Sequence, residues 1–109
     1  PPASPADVLI LPMTDDLSAA ISLATQLRAQ GIRTQLHCEK KKFKAKISYA
    51  DKLAIPYVIF MGEDEIANHT VALKELASGE QTNTDFDAAV KRIQKGLAAR
   101  AGNKVIVGS

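Results

Sequence analysis

Apolar residues along the chain fall into dense runs separated by stretches that are apolar on one side only. Val8-Leu9-Ile10-Leu11, closed by Pro12, is a continuous apolar run, the pattern of a strand covered on both faces. Thr14-Asp15-Asp16 then offers a capping oxygen and carboxylates where a helix dipole favours them. Leu17, Ala20, Ile21, Ala24 and Leu27 recur at helical spacing, and Gly31 predicts the stop. Residues 34–38 predict a second short strand, and Phe43, Ile47, Ala50 and Ala54 a second helical stripe with lysines opposite. Ile55-Pro56 ends that helix. Tyr57-Val58-Ile59-Phe60-Met61, β-branched and aromatic, predicts a third buried strand ended by Gly62.

Strand, helix, strand, helix, strand at these spacings predicts two βαβ units and a parallel sheet. Residues 70–76 alternate as a half-buried strand does and, with residues 65–67, predict a hairpin added to that core. Residues 78–83 are expected as turn, and Thr84 as the cap of a last helix with the stripe Phe86, Ala89, Val90, Ile93, Leu97. The fold class is therefore α/β: three layers, a mixed sheet of five strands built from a parallel βαβαβ core plus a hairpin, and three helices. Residues 1–6, rich in proline and alanine, are expected as linker, and 7–109 as one domain. Within it, residues 98–109 are open: Val105-Ile106-Val107 fits a short strand or a tail packed on the core.

Length and composition narrow the class. The 109 residues, 46% hydrophobic and 24% charged, suit one globular domain able to bury a core without staples. No apolar run approaches the about 18 residues that cross a membrane, and the start has neither the basic nor the apolar region of a signal peptide. One cysteine, Cys38, excludes an intrachain disulfide and a multi-cysteine zinc site, and favours a reducing compartment. A chain starting at Pro1 without methionine is expected to be a piece of a longer one.

The net charge of +2 conceals a cluster. Lys40, Lys41, Lys42, Lys44 and Lys46 are five of the ten lysines. Cations at a helix start oppose the dipole, so a compensating anion such as an RNA phosphate suits them, and Phe43 among them suits stacking on a base. A solvated helix face with Phe43 as its core anchor fits the same pattern. Ligands of open α/β sheets bind beyond the carboxyl ends of the parallel strands, here Met13-Thr14, Cys38-Glu39-Lys40 and Gly62-Glu63. Gly62-Glu63-Asp64-Glu65 lacks the spacing of a calcium loop, but its carboxylates can accept the two adjacent donors on guanine's pairing edge. An ordinary acidic turn is the alternative. His37 and Cys38, adjacent on a strand, point to opposite faces, and His69 sits in a turn without a partner. No phosphate-cradling glycine loop is present, and no set of nucleophile, base and orienting group, so no catalytic residue and no metal site is expected.

The run KKKFKAKISYADKLAIPYVIFMGEDEI, Lys40 to Ile66, with VALKELASGEQ at 71–81 and VLILPM at the first strand, resembles the C-terminal anticodon-binding domain of class II aminoacyl-tRNA synthetases. Within that family its wording is most similar to the bacterial histidyl enzymes. The family often has Gly where Ala54 stands, and residues 98 onward match nothing in it. The resemblance implies a domain that reads the anticodon loop of histidine tRNA, GUG, and does not itself catalyse. It places the guanine-reading carboxylate on Glu65, with Glu63 as the alternative, and a helping cation on Lys74. It brings Lys40, Lys41, Lys42, Phe43, Lys44 and Lys46 to the anticodon loop, with Met13 and Thr14 completing the edge. Aminoacylation with ATP and magnesium, and the homodimer interface, would belong to an absent catalytic domain of a cytoplasmic parent enzyme. Two other readings stay open: a small flavodoxin-like regulatory or protein-interaction domain, and a non-synthetase relative of the same fold.

Overall fold

A computed structural model describes residues 4–37 and 43–108, with the side chains of 43, 44 and 101–108 outside the description. The elements run β1 (Val8–Pro12), α1 (Ser18–Ala29), β2 (Thr34–Leu36), α2 (Phe43–Lys52), β3 (Tyr57–Met61), α3 (Glu63–Asn68), β4 (Thr70–Glu75), β5 (Gln81–Asp85) and α4 (Phe86–Gly108). They form one five-stranded sheet in the order β2-β1-β3-β4-β5. β1 is paired in parallel with β2 and β3, and β4 and β5 add antiparallel to the β3 side. The mixed five-stranded sheet is thus as the sequence predicts, with four helices where three were expected.

Every residue of β1 and β3 is buried, as their continuous apolar runs require. Val8, Ile10, Tyr57, Ile59 and Met61 face one side, where Leu23, Leu27, Ala89 and Ile93 from α1 and α4 cover them. Leu9, Leu11, Val58 and Phe60 face the other, under Ala50 and Ile47 of α2. The side chain of Leu23 is fully buried on α1, whereas Ile21 is 52% exposed. The stripe drawn through Leu17 and Ile21 was therefore rotated from the true one, which runs through Ala20, Leu23, Ala24 and Leu27.

The second half departs further from expectation. Residues 65–67 belong to α3, and the hairpin pairs β4 with β5, so part of the stretch expected as turn is strand. The tail is neither strand nor packed coil: α4 continues to Gly108. The expected linker is fastened from Ser4 on. Ala6 is fully buried, Arg33 donates to the Ser4 carbonyl at 2.7 Å, and its guanidinium pairs with Asp7 at 2.9 Å.

Two helix ends use the same device with different residues. After α1, Gly31 at φ 80° donates to the Arg28 carbonyl, and Ile32 to the Leu27 carbonyl. After α2, Ala54 at φ 58° donates to Asp51, and Ile55 to Ala50. Both are Schellman ends, which place one residue in the left-handed region. An alanine there costs about 1 kcal/mol, partly offset by the greater unfolded freedom of glycine. Ala54→Gly should therefore stabilise the fold slightly, by up to about 0.6 kcal/mol, seen as a higher urea midpoint at unchanged slope.

Candidate nucleic-acid interface

The carboxyl edge of the parallel strands is built from three short exits. Met13, after β1, donates its N–H to the Met61 carbonyl at 2.9 Å, which extends the β1–β3 ladder while its side chain stays 52% exposed. Thr14 turns the chain by donating its hydroxyl to the Asp16 carbonyl at 2.7 Å. Asp16 Oδ1 then accepts from the Ser18 N–H and hydroxyl, at 2.9 and 2.6 Å, at the start of α1. Those two bonds hold its exposed carboxyl below the ordinary aspartate range.

After β3, Gly62 opens α3, and Glu65 Oε1 accepts the Gly62 N–H at 3.0 Å. Glycine has no side chain, so only the glutamate half of a capping box is made. The residue singled out for reading a base thus has one carboxylate oxygen committed to its own helix. Glu63 does not carry that duty. It lines a cleft of about 460 Å³ whose other walls include Thr14, Asp15, Asp16 and Ile66. The wall is strongly acidic, so it disfavours phosphate and favours a group that presents hydrogen-bond donors. Among the described residues no group of three acids, histidines or cysteines converges as a metal site would.

The expected partners do not all gather here. Lys74 pairs with Val58, three residues before Met61, so it lies about 10 Å down the strand from the edge that carries Glu65. Val58 belongs to the core on the α2 side, and Lys74 lies on that same side of the sheet. Lys74 and Glu65 thus stand at different heights of the sheet. Lys46 is only 5% exposed, next to Ile47 on the side of α2 that carries Ile47 and Ala50 to the sheet, which leaves it little surface for a phosphate. Lys40, Lys41 and Lys42, with Cys38 and Glu39, lie outside the described residues. Phe43 and Lys44 form the first turn of α2.

One feature had no sequence signal. The rings of His37 and Tyr49, 12 positions apart, stack with centroids 4.8 Å apart and planes at 21°. His37 follows β2 directly, and its N–H donates to the Ile10 carbonyl at 3.0 Å. At the far end of the sheet, Tyr57 donates its hydroxyl to Glu75 at 3.4 Å. Burial first, and then the Glu75 charge, push its phenol above the ordinary tyrosine range.

The family model of the anticodon binding domain matches residues 7–96. The histidine–tRNA ligase of Clostridium tetani is 38% identical over 86 residues, which are 79% of this chain and 20% of that protein. That of Cytophaga hutchinsonii is 43% identical over 74 residues, 68% of this chain and 16% of that protein. The crystal structure of histidyl-tRNA synthetase from Nostoc superposes with a TM-score of 0.80 at 31% identity, covering 85% of this chain and 23% of that one. The chain spans about a fifth of the length of these relatives. No helix among the described residues is long and apolar enough to cross a membrane.

Proposed function

The chain belongs to the anticodon-binding domain family, and from that premise we propose that it reads the anticodon loop of histidine tRNA. The observation that carries this reading is the similarity to histidyl-tRNA synthetases along most of the fold, at a TM-score of 0.80 with one of them. Two local features support it. The lysines at 40–44 suit phosphate steering, and the Glu63 cleft beyond the sheet edge suits the two donors of a guanine edge. The histidine anticodon, GUG, offers two such edges. Of the two glutamates, Glu63 is the better reader, because Glu65 is engaged with Gly62. Met13 and Thr14 border the same edge. Attachment of histidine, with ATP and magnesium, is the work of a catalytic domain in a longer cytoplasmic and homodimeric enzyme.

The test titrates the chain against a histidine anticodon stem-loop and against one with both guanines replaced. The expected preference for GUG is about ten-fold, equal to about 1.4 kcal/mol. Equal binding to both loops would leave only charge attraction and sink the base-reading claim. Glu63→Gln should bring the two loops within about two-fold of each other. Glu65→Gln, which can still cap Gly62, should leave the preference in place.

A further inference from the structure

We propose that the His37–Tyr49 stack is a platform for one unstacked base of the RNA loop, which adds a third ring to the pair at the exposed part of Tyr49. The proposal rests on the tRNA-binding reading above and adds a contact on the opposite face of the sheet. Tyr49 is one of three large apolar side chains left exposed among the described residues, and it remains 36% exposed although His37 already covers part of it. The near-parallel rings, 4.8 Å between centroids, have the offset-stacked geometry that a further aromatic ring continues.

His37 is fixed from both sides. Its backbone is pinned to β1 through Ile10, and its buried Nδ1 has no hydrogen-bond partner among the described residues. The ring is placed by stacking and by the strand. The surroundings carry the right charge. Lys52 is exposed one helical turn beyond Tyr49, and the lysine run at 40–44 lies between the two ring-bearing positions in sequence.

Geometry distinguishes this platform from the acidic cleft. Leu36 packs with the α1 side of the sheet, so its neighbour His37 takes the α2 side, whereas the Glu63 cleft lies between α1 and α3. One base on each side of the edge fits a loop with its bases splayed apart. Stacking accepts any base, so the platform adds affinity while the cleft supplies the preference.

The test measures anisotropy of an end-labelled histidine anticodon stem-loop against the full chain carrying Tyr49→Leu or Tyr49→Phe, across a salt series. Tyr49→Leu should weaken binding about ten-fold with an unchanged salt slope and an unchanged preference for GUG, and Tyr49→Phe should stay within about two-fold of the unaltered chain. Unweakened binding by Tyr49→Leu overturns the platform, and so does an equal loss in both variants, which would mark a hydroxyl contact. If Tyr49→Leu unfolds, Tyr49→Trp decides: its larger ring should bind more tightly, and unchanged affinity overturns the proposal. Failure of the unaltered chain to bind the stem-loop removes the tRNA-binding reading itself, and the platform with it.

Discussion

Gly96→Ala should lower the urea midpoint sharply, by about 1–3 kcal/mol of stability, although alanine is the better helix former. On propensity alone the exchange inside α4 would gain about 1 kcal/mol. Packing reverses the sign, because a Cβ on Gly96 would fall on the Tyr57 hydroxyl and crowd the ring carbon that bears it. Tyr57 cannot retreat easily. Its ring is buried at the start of β3, and its hydroxyl is directed to Glu75 on the neighbouring strand. Tyr57→Phe removes the atom of worst overlap, so Gly96→Ala combined with Tyr57→Phe should be more stable than the sum of the two single effects. A double-mutant cycle in urea measures the coupling, and strict additivity would show that the two residues do not meet. The same tyrosine predicts a pH limit. Its folded pKa lies above its unfolded value, so its contribution is complete below about pH 10 and is lost as the pH climbs through the folded pKa.

Lys42→Glu combined with Lys44→Glu should weaken binding to any RNA loop on the order of ten-fold at 0.1 M salt. It should also flatten the salt dependence by about 1.4 in slope, at about 0.7 per phosphate contact on a single strand. Both guanine-containing and guanine-free loops should lose affinity alike, because phosphate contacts position and base contacts specify. A loss confined to the GUG loop would move these lysines from steering to reading. An unchanged slope would leave them as a solvated helix face.

The fold was legible where burial is two-sided and opaque where it is not. Val8 to Leu11 and Tyr57 to Met61 have no water-facing side, so their continuous apolar runs mark the central strands directly. β5 reads Gln-Thr-Asn-Thr-Asp, an edge strand whose half-buried side is made of threonines, and nothing in its hydrophobicity separates it from a turn. α3 has six residues and no fully buried one, so no stripe announces it. On α1, Ile21 and Leu23 stand two positions apart on different sides of the helix, and only the neighbouring elements decide which one is covered.

The site followed the same logic. The position of Glu63, Met13 and Thr14 at the edge was legible because a strand's carboxyl end fixes position without any side-chain detail. The height of Lys74 relative to Glu65 was not legible, because strand register is set by the hairpin and not by local sequence. His37 and Tyr49 meet across a βα connection, a contact that no local pattern encodes.

The sheet order also sets a timetable for synthesis. β1 lies between β2 and β3, and Val8 is matched to Tyr57, 49 residues later. A ribosome adding about 5–20 residues per second makes β1 before the other strands of the sheet and completes its second neighbour only about 2–10 seconds later. The hairpin of β4 and β5, by contrast, closes over a few residues and can zip within about 1–10 microseconds of its emergence. The most apolar strand of this sheet thus waits longest between its synthesis and the completion of its pairing, which makes Val8–Pro12 the segment of the fold with the longest need of a chaperone.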